Sequence, residues 1–207
     1  MRLDVLLVRR GFFKSRNRAK IAIKKGLVIV NGAIAKKPSM EVGIDAEIKV
    51  LDDKPLGYWK LKELDEKFRI FEGNETVLDL GSSAGGFLLY ASERAKFVYG
   101  IEISREFEPF LREIEQKGNV KVFIENAFNF DIEKISEVDL ILNDLTLSFS
   151  SSMKALKRFL PKLRSDGKIL FVHKTEFEDA IFDDFEILWK EFSKEKKEAY
   201  YFLRQKF

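Results

Sequence analysis

The sequence predicts an α/β protein in two parts: a mostly parallel seven-stranded sheet domain over residues 69–207, a small α+β module over residues 1–52, and between them a linker with a first helix over residues 53–68. Three observations predict it. After Thr76, short apolar, β-rich runs alternate with helical patterns, the arrangement of a parallel sheet covered on both faces. Before Leu51, two segments of helical period lead into an Asn-Gly hairpin signal. Charge divides at the same place: residues 1–51 hold 12 Lys/Arg against 4 Asp/Glu, net +8, and the remainder holds 25 against 30, net −5.

In the N-terminal module, Leu3, Leu6 and Leu7, then Ala19, Ile21, Ala22 and Ile23, recur at helical spacing. Ser15 is placed to cap the second helix, and Gly11 and Gly26 punctuate the pair. The pattern then changes to β-branched "LVIV", Asn31-Gly32 and "AIA", with a closing strand near "AEIKVL". Pro55 and Gly57 interrupt the linker before an amphipathic helix over Trp59–Phe68, whose Trp59, Leu61 and Leu64 suit docking on the larger domain. In that domain "TVLDL", "FVYGIE", "VKVFIE", "VDLILND" and "KILFVH" read as five parallel strands. "FEILW" and "EAYYFLRQKF" are separated by only a short charged connection, which requires an antiparallel hairpin at the sheet edge.

Composition narrows the chemistry. The absence of cysteine excludes disulfides, thiolate zinc sites and a cysteine nucleophile. A single histidine, His173, leaves little for a metal site, and none is expected. No apolar run reaches the roughly 18–20 residues of a membrane span, and Met1 leads into a charged amphipathic pattern in place of a signal peptide. The expectation is a cytoplasmic protein without membrane partners, and the abundance of Lys and Glu beside two Gln hints at a thermophilic source. Nothing in the sequence fixes its oligomeric state.

Arg9, Arg10, Lys14, Arg16, Arg18, Lys20, Lys24 and Lys25 flank the junction of the two N-terminal helices, with Lys36 and Lys37 beyond the hairpin. Such a cluster reads either as a solvated helix face or as a surface that neutralises phosphates. The segments "RLDVLLVRRG", "SRNRAKIAIKKGLVIVNG" and "KKPS" resemble the S4 RNA-binding domain over about residues 1–50. That resemblance implies recognition of structured RNA, mostly by shape and backbone, and brings Arg2, Ser15 and Asn31 into the candidate contact set.

The stretch Asp79-Leu80-Gly81-Ser82-Ser83-Ala84-Gly85-Gly86 is a glycine turn after the first strand of the large domain, where an open α/β sheet binds its ligand. It lacks both the G-x-G-x-x-G order of a dinucleotide site and a P-loop Gly-Lys-Ser/Thr. Asp79 is awkward beside a pyrophosphate and suits a cationic ligand, although a nicotinamide enzyme stays open. Glu102 closes the second strand, where an acid accepts hydrogen bonds from ribose hydroxyls. This pattern resembles the Rossmann-like class I methyltransferases. The resemblance implies S-adenosylmethionine as cofactor, with Asp79, Gly81, Ser82, Ser83, Gly85, Gly86 and Phe87 about its methionine part, Glu102 on the ribose, Asn126 and Ala127 flanking the adenine, and Asp144 nearby. Asn126 reads equally as a turn residue.

Four further side chains end or open elements: Lys60, Asp144, Lys174 and Glu198. In "YWKLKEL", "VDLILND", "GKILFVHK" and "KKEAYYFLRQKF" they resemble the Lys-Asp-Lys-Glu tetrad of FtsJ-like ribose 2′-O-methyltransferases. With an S4 domain ahead of such a body, the chain is similar to the TlyA, or hemolysin A, family of rRNA methyltransferases. Thr175 stands where that family usually has proline, and "NDLTLSFSSS" departs from its Asp-Val-Ser-Phe-Ile-Ser-Leu run. The resemblance implies methylation of a ribose, a cytidine ribose in that family, in ribosomal RNA or ribosomal subunits.

A ribose hydroxyl must be deprotonated, or nearly so, to attack a methyl group, and Lys174 is the candidate base. Its pKa must fall from about 10.4 by about two units to serve near neutral pH. Asp144 and Glu198 oppose that fall; Lys60 and a cationic cofactor favour it. Strand alternation turns His173 to the face opposite Lys174, where packing or hydrogen bonding beneath the site suits it better than catalysis. The lack of cysteine closes the covalent route to pyrimidine carbon-5, and "NDLT" lacks the Asn/Asp-Pro-Pro-Tyr/Phe pattern of amino-group methylases. A catalytically silent RNA-binding or ribosome-assembly factor with the same fold stays open. A pore-forming toxin does not fit a sequence without a strongly apolar amphipathic segment.

Overall fold

The computed structural model describes all residues except 14, 52–53, 176–179 and 207. The chain divides into two compact units, Met1–Glu63 and Leu64–Phe207. The division falls inside a helix, whereas the sequence places its boundaries after residues 52 and 68; residue 52 itself lies outside the described residues.

In the first unit, α1 (Leu3–Arg9) and α2 (Arg16–Lys24) precede three short strands, β1 (Val28–Val30), β2 (Ala33–Ile34) and β3 (Ile48–Val50). The strands pair antiparallel in the order β2-β1-β3. Ser15 caps α2 by accepting a hydrogen bond from the Arg18 amide. Asn31 (φ 49°) and Gly32 (φ 82°) make the two-residue turn from Val30 to Ala33, both left-handed as such a turn requires. Leu3, Leu7, Ala19, Ala22 and Ile23 bury against Val28 and Val30, whereas Ile21 is only half-buried. Asp4 is fully buried beneath this layer, held by Arg2 and Arg16.

Helix α3 (Leu56–Phe68) starts directly after Pro55, three residues earlier than the periodicity suggests. Proline cannot continue a helix backward but tolerates its start, so it marks the boundary. The part of α3 within the second unit is tied down there. Asp65 accepts the Tyr90 hydroxyl at 2.8 Å and the Phe71 amide at 2.9 Å, and Phe68 stacks on Trp189 at 3.7 Å.

The second unit is a seven-stranded sheet built from β4 (Thr76–Leu80), β5 (Phe97–Ile101), β6 (Val120–Phe123), β7 (Val138–Asn143), β8 (Leu163–Lys174), β9 (Phe185–Ser193) and β10 (Glu198–Gln205). Its order is β6-β5-β4-β7-β8-β10-β9, parallel through β8, with β10 antiparallel to both of its neighbours. Helix α4 (Gly86–Ser92) follows β4, α5 (Glu108–Glu115) follows β5, and α6 (Phe149–Phe159) follows β7. On one face Leu156 and Phe159 of α6 join Leu80, Ile141, Ile169, Phe171 and Tyr201 in the main core. On the other, α4 lies so close to β5 that a Cβ on Gly100 would meet Leu88 Cδ1 at 2.9 Å. Among the described residues no helix is long and apolar enough to cross a membrane.

The edge hairpin is as the sequence suggests, and the structure adds which strand is internal. Six consecutive residues of β10, Glu198–Leu203, are buried, and β9 is the half-exposed edge. The β8 strand starts five residues earlier than "KILFVH", because the polar stretch before Lys168 bulges out: Val138 pairs with Leu163, but Leu140 pairs with Lys168.

Candidate active site

Strand order reverses between β4 and β7, so the crevice of this sheet lies beyond their carboxyl ends. There the amides of Gly81 and Ser82 both donate to Ile101 O, at 2.9 and 3.2 Å, fastening the turn to the end of β5. Gly81 (φ 81°) and Gly85 (φ 79°) are left-handed and crowded. A Cβ on Gly81 would meet Leu145 Cδ2 at 2.9 Å, and one on Gly85 would meet Ile114 Cδ1 at 2.4 Å. Ser83 is also left-handed, at φ 47°. Its amide donates to Glu102 Oε2 at 2.7 Å, while Ser104 N donates to Oε1 at 2.7 Å, so Glu102 is fixed by two backbone groups and nearly buried. Asp79 is fully buried at the end of β4.

The other candidate cofactor residues are placed less directly. Gly86 opens α4, while Phe87 and Ser82 are buried. Asn126 closes a turn by accepting the Phe128 amide at 2.9 Å, the local role that its residue type also suggested. Ala127 packs into the main core, and its carbonyl accepts from Arg158 Nε at 3.2 Å. Tight glycines, a buried acid just before the turn and an anchored acid after β5 form a cradle of backbone and negative charge, which fits a nucleoside carrying a cationic group.

Three of the four charged candidates meet. Lys174 Nζ donates to Asp144 Oδ1 at 2.9 Å and to Glu198 Oε1. Register explains the meeting: Glu198 is the direct cross-strand partner of Lys174, and Asn143, just before Asp144, pairs with Phe171. Alternation therefore turns Asp144, Lys174 and Glu198 to the sheet face of Asp79. Burial disfavours the Lys174 ammonium, but the charge and hydrogen bonds of Asp144 and Glu198 outweigh it, and its pKa lies above the ordinary lysine value. Lys60, partly buried, stands on α3 in the Met1–Glu63 unit.

His173 faces the other way, with its ring edge-on to Phe149 at 5.2 Å, and burial lowers its pKa. Sequence reasoning missed Tyr200. Its hydroxyl donates to Glu198 Oε2 at 2.6 Å, and its ring is 2% exposed. Two residues along β10 from Glu198 and therefore on the same face, it was legible only once β10 was known to be internal. Ile103 was missed as well: it is 65% exposed directly after Glu102, an apolar side chain left beside the cradle.

The basic N-terminal residues separate into two groups. Arg2 Nε and Arg16 Nη2 bind Asp4 at 3.0 and 2.9 Å and hold its pKa at about 2, while Arg10 Nη1 donates to Ala46 O at 2.6 Å and its Nη2 to Ile44 O. Ser15 and Asn31 are engaged locally, Asn31 Oδ1 accepting from Glu47 N at 3.0 Å. Arg9, Arg18, Lys24, Lys36 and Lys37 are exposed, and Lys20 and Lys25 are half-buried. Lys14 lies outside the described residues.

Comparison with known proteins places this geometry. Residues 57–205 match the FtsJ-like methyltransferase family, and residues 1–48 match the S4 domain. The 16S/23S rRNA (cytidine-2′-O)-methyltransferase TlyA of Mycobacterium tuberculosis is 30% identical over 185 residues, 86% of this chain and 68% of that protein. An uncharacterised protein of Methanocaldococcus jannaschii is 37% identical over 119 residues, 56% of this chain and 32% of its own length. The chain thus spans about a third to two-fifths of the length of several relatives it matches. Among solved structures, a candidate hemolysin from Streptococcus thermophilus superposes with a TM-score of 0.64 at 21% identity, covering 99% of this chain and 88% of its own, a likeness of fold. With nearly three quarters of its length matched to one family, the chain belongs to the FtsJ-like methyltransferases and carries an S4 domain at its N-terminus.

Proposed function

We propose that this chain is an S-adenosylmethionine-dependent rRNA methyltransferase that modifies a ribose 2′-oxygen, on a cytidine as the name of its mycobacterial relative states for that protein. The observation that carries the reading is the joining of Asp144, Lys174 and Glu198 on the Asp79 face of the sheet. When bound, the cofactor supplies a methyl group on a positively charged sulfonium. The chain's own residues do the rest. Asp79, Glu102 and the Gly81–Gly86 turn bind the nucleoside and its cationic end. Asp144 and Glu198 orient the Lys174 amine, and Tyr200 fixes Glu198 through its second oxygen.

Lys174 receives the proton of the ribose hydroxyl. In this structure its carboxylate partners keep it an ammonium, so it must first give up a proton, which a nearby positive charge favours. Lys60 is assigned to placing the ribose and to the same electrostatic task. The S4 unit holds the RNA by phosphate contacts from Arg9, Arg18, Lys36 and Lys37, with Lys20, Lys24 and Lys25 in support.

Incubation of undermodified ribosomal subunits with labelled cofactor, followed by mapping of the modified nucleotide, tests the reading. The expected label is on a ribose oxygen; label on a base would overturn the assignment. Lys174→Ala is expected to lower transfer at least 100-fold, a typical contribution of a general base, while cofactor affinity measured by calorimetry changes little.

A further inference from the structure

Trp59 stands out on the surface of the first unit. Tryptophan is usually well buried, yet Trp59 is 40% exposed near the start of α3. Its neighbour Tyr58 is buried and meets the indole edge-on, with ring centroids 5.2 Å apart at 77°, which fixes the indole's orientation. Lys62, one helical turn on and on the same face, places Nζ 5.3 Å from the indole centroid. Lys54 Nζ lies 6.0 Å from it and donates to the Tyr58 hydroxyl at 2.7 Å. An exposed aromatic surface rimmed by apolar residues suits a protein partner. One rimmed by ammonium groups suits a polyanion whose bases stack on the ring while its phosphates meet the cations.

From this arrangement we infer that Trp59 is a stacking platform for an unpaired nucleobase of the RNA substrate, with Lys54 and Lys62 meeting the flanking phosphates. The inference rests on the RNA-methyltransferase reading, because the next residue, Lys60, is the one that reading assigns to the substrate ribose. Stacking on an aromatic ring tolerates any base, so this contact adds affinity for an opened strand and leaves the choice of sequence to other parts of the protein.

The chain contains only two tryptophans, Trp59 and Trp189, and Trp189 is stacked between Phe68 at 3.7 Å and Phe202 at 5.4 Å. Fluorescence of the full chain therefore reads Trp59 by difference. Titration with a single-stranded rRNA oligonucleotide is expected to quench the wild-type emission, and Trp59→Phe is expected to lose most of that quenching while binding the RNA. Trp59→Leu keeps an apolar side chain without a π-face, so it is expected to bind about 5- to 100-fold more weakly and to raise the KM for RNA, with Trp59→Tyr recovering most of the loss. The salt dependence of affinity should be unchanged in Trp59→Leu and shallower by about one unit in Lys62→Ala, because only the lysine releases counterions. Wild-type chain that binds and methylates RNA with unquenched Trp59 and an unaltered KM in Trp59→Leu would overturn the inference alone. Emission that changes with protein concentration in the absence of RNA would overturn it in favour of a protein contact. Absence of RNA binding and methyl transfer in the wild type would overturn the underlying reading.

Discussion

Lys174 shows how residue-scale geometry sets the charge state of one amine. Its two carboxylate partners raise its pKa above the ordinary lysine value even against burial. Removing one of them removes an influence that favours the ammonium, so the pKa must fall. Glu198→Gln is therefore expected to move the rising limb of the kcat–pH profile to lower pH. An unmoved limb would separate Lys174 from the titrating base. The three residues were legible singly in the sequence as charged strand ends. Their meeting was implied by the resemblance to the FtsJ-like tetrad; what the sequence did not hold is its cause, the register that sets Glu198 opposite Lys174. Asp4 was overlooked for a related reason: an acid at the start of a helix reads as solvated, and only the fold shows it buried between Arg2 and Arg16, whose guanidiniums stay exposed while sharing their charge with it.

Among the elements, the turn after β4 separates the two demands made of a glycine. Gly32 and Gly85 have nearly the same left-handed φ, 82° and 79°. A Cβ on Gly32 meets nothing within 4 Å, whereas one on Gly85 would run into Ile114 and Leu111 of α5. Gly32→Ala is expected to cost about 1–2 kcal/mol, the backbone penalty alone. Gly85→Ala is expected to cost about 2–4 kcal/mol once overpacking is added, with the difference read by urea unfolding. The glycine turn was recognisable in the sequence because so few residue types adopt such a backbone. Gly100 was not, since its reason is the close approach of α4 across the sheet. The early part of β8 was equally hidden: residues 164–167 are polar and carry no strand pattern, and the structure accommodates them as a bulge within one long strand.

For the whole molecule, the excess of positive charge in residues 1–51 is the main statement the sequence makes about a partner. Arg2, Arg10 and Arg16 are exposed but also bound to acceptors of the fold, Asp4 for the first and last and two carbonyls for Arg10. Lys36 and Lys37 are exposed, so their joint replacement by alanine is expected to flatten the slope of log affinity for RNA against log salt by about 1.5–2 units. Arg10→Ala, which removes the hydrogen bonds to Ala46 O and Ile44 O, is expected to change that slope much less and to loosen the first unit, seen as faster amide exchange in β3. The two-part organisation and sheet class were readable because alternating apolar runs and segregated charge survive without coordinates. The internal placement of β10 was not, since either strand of a hairpin can lie at the edge. That placement has a consequence for synthesis. The carboxylate opposite Lys174 arrives with β10, the last strand of this sheet in chain order, so a nascent polypeptide halted anywhere before residue 198 has formed six strands and still lacks one corner of its charge cluster.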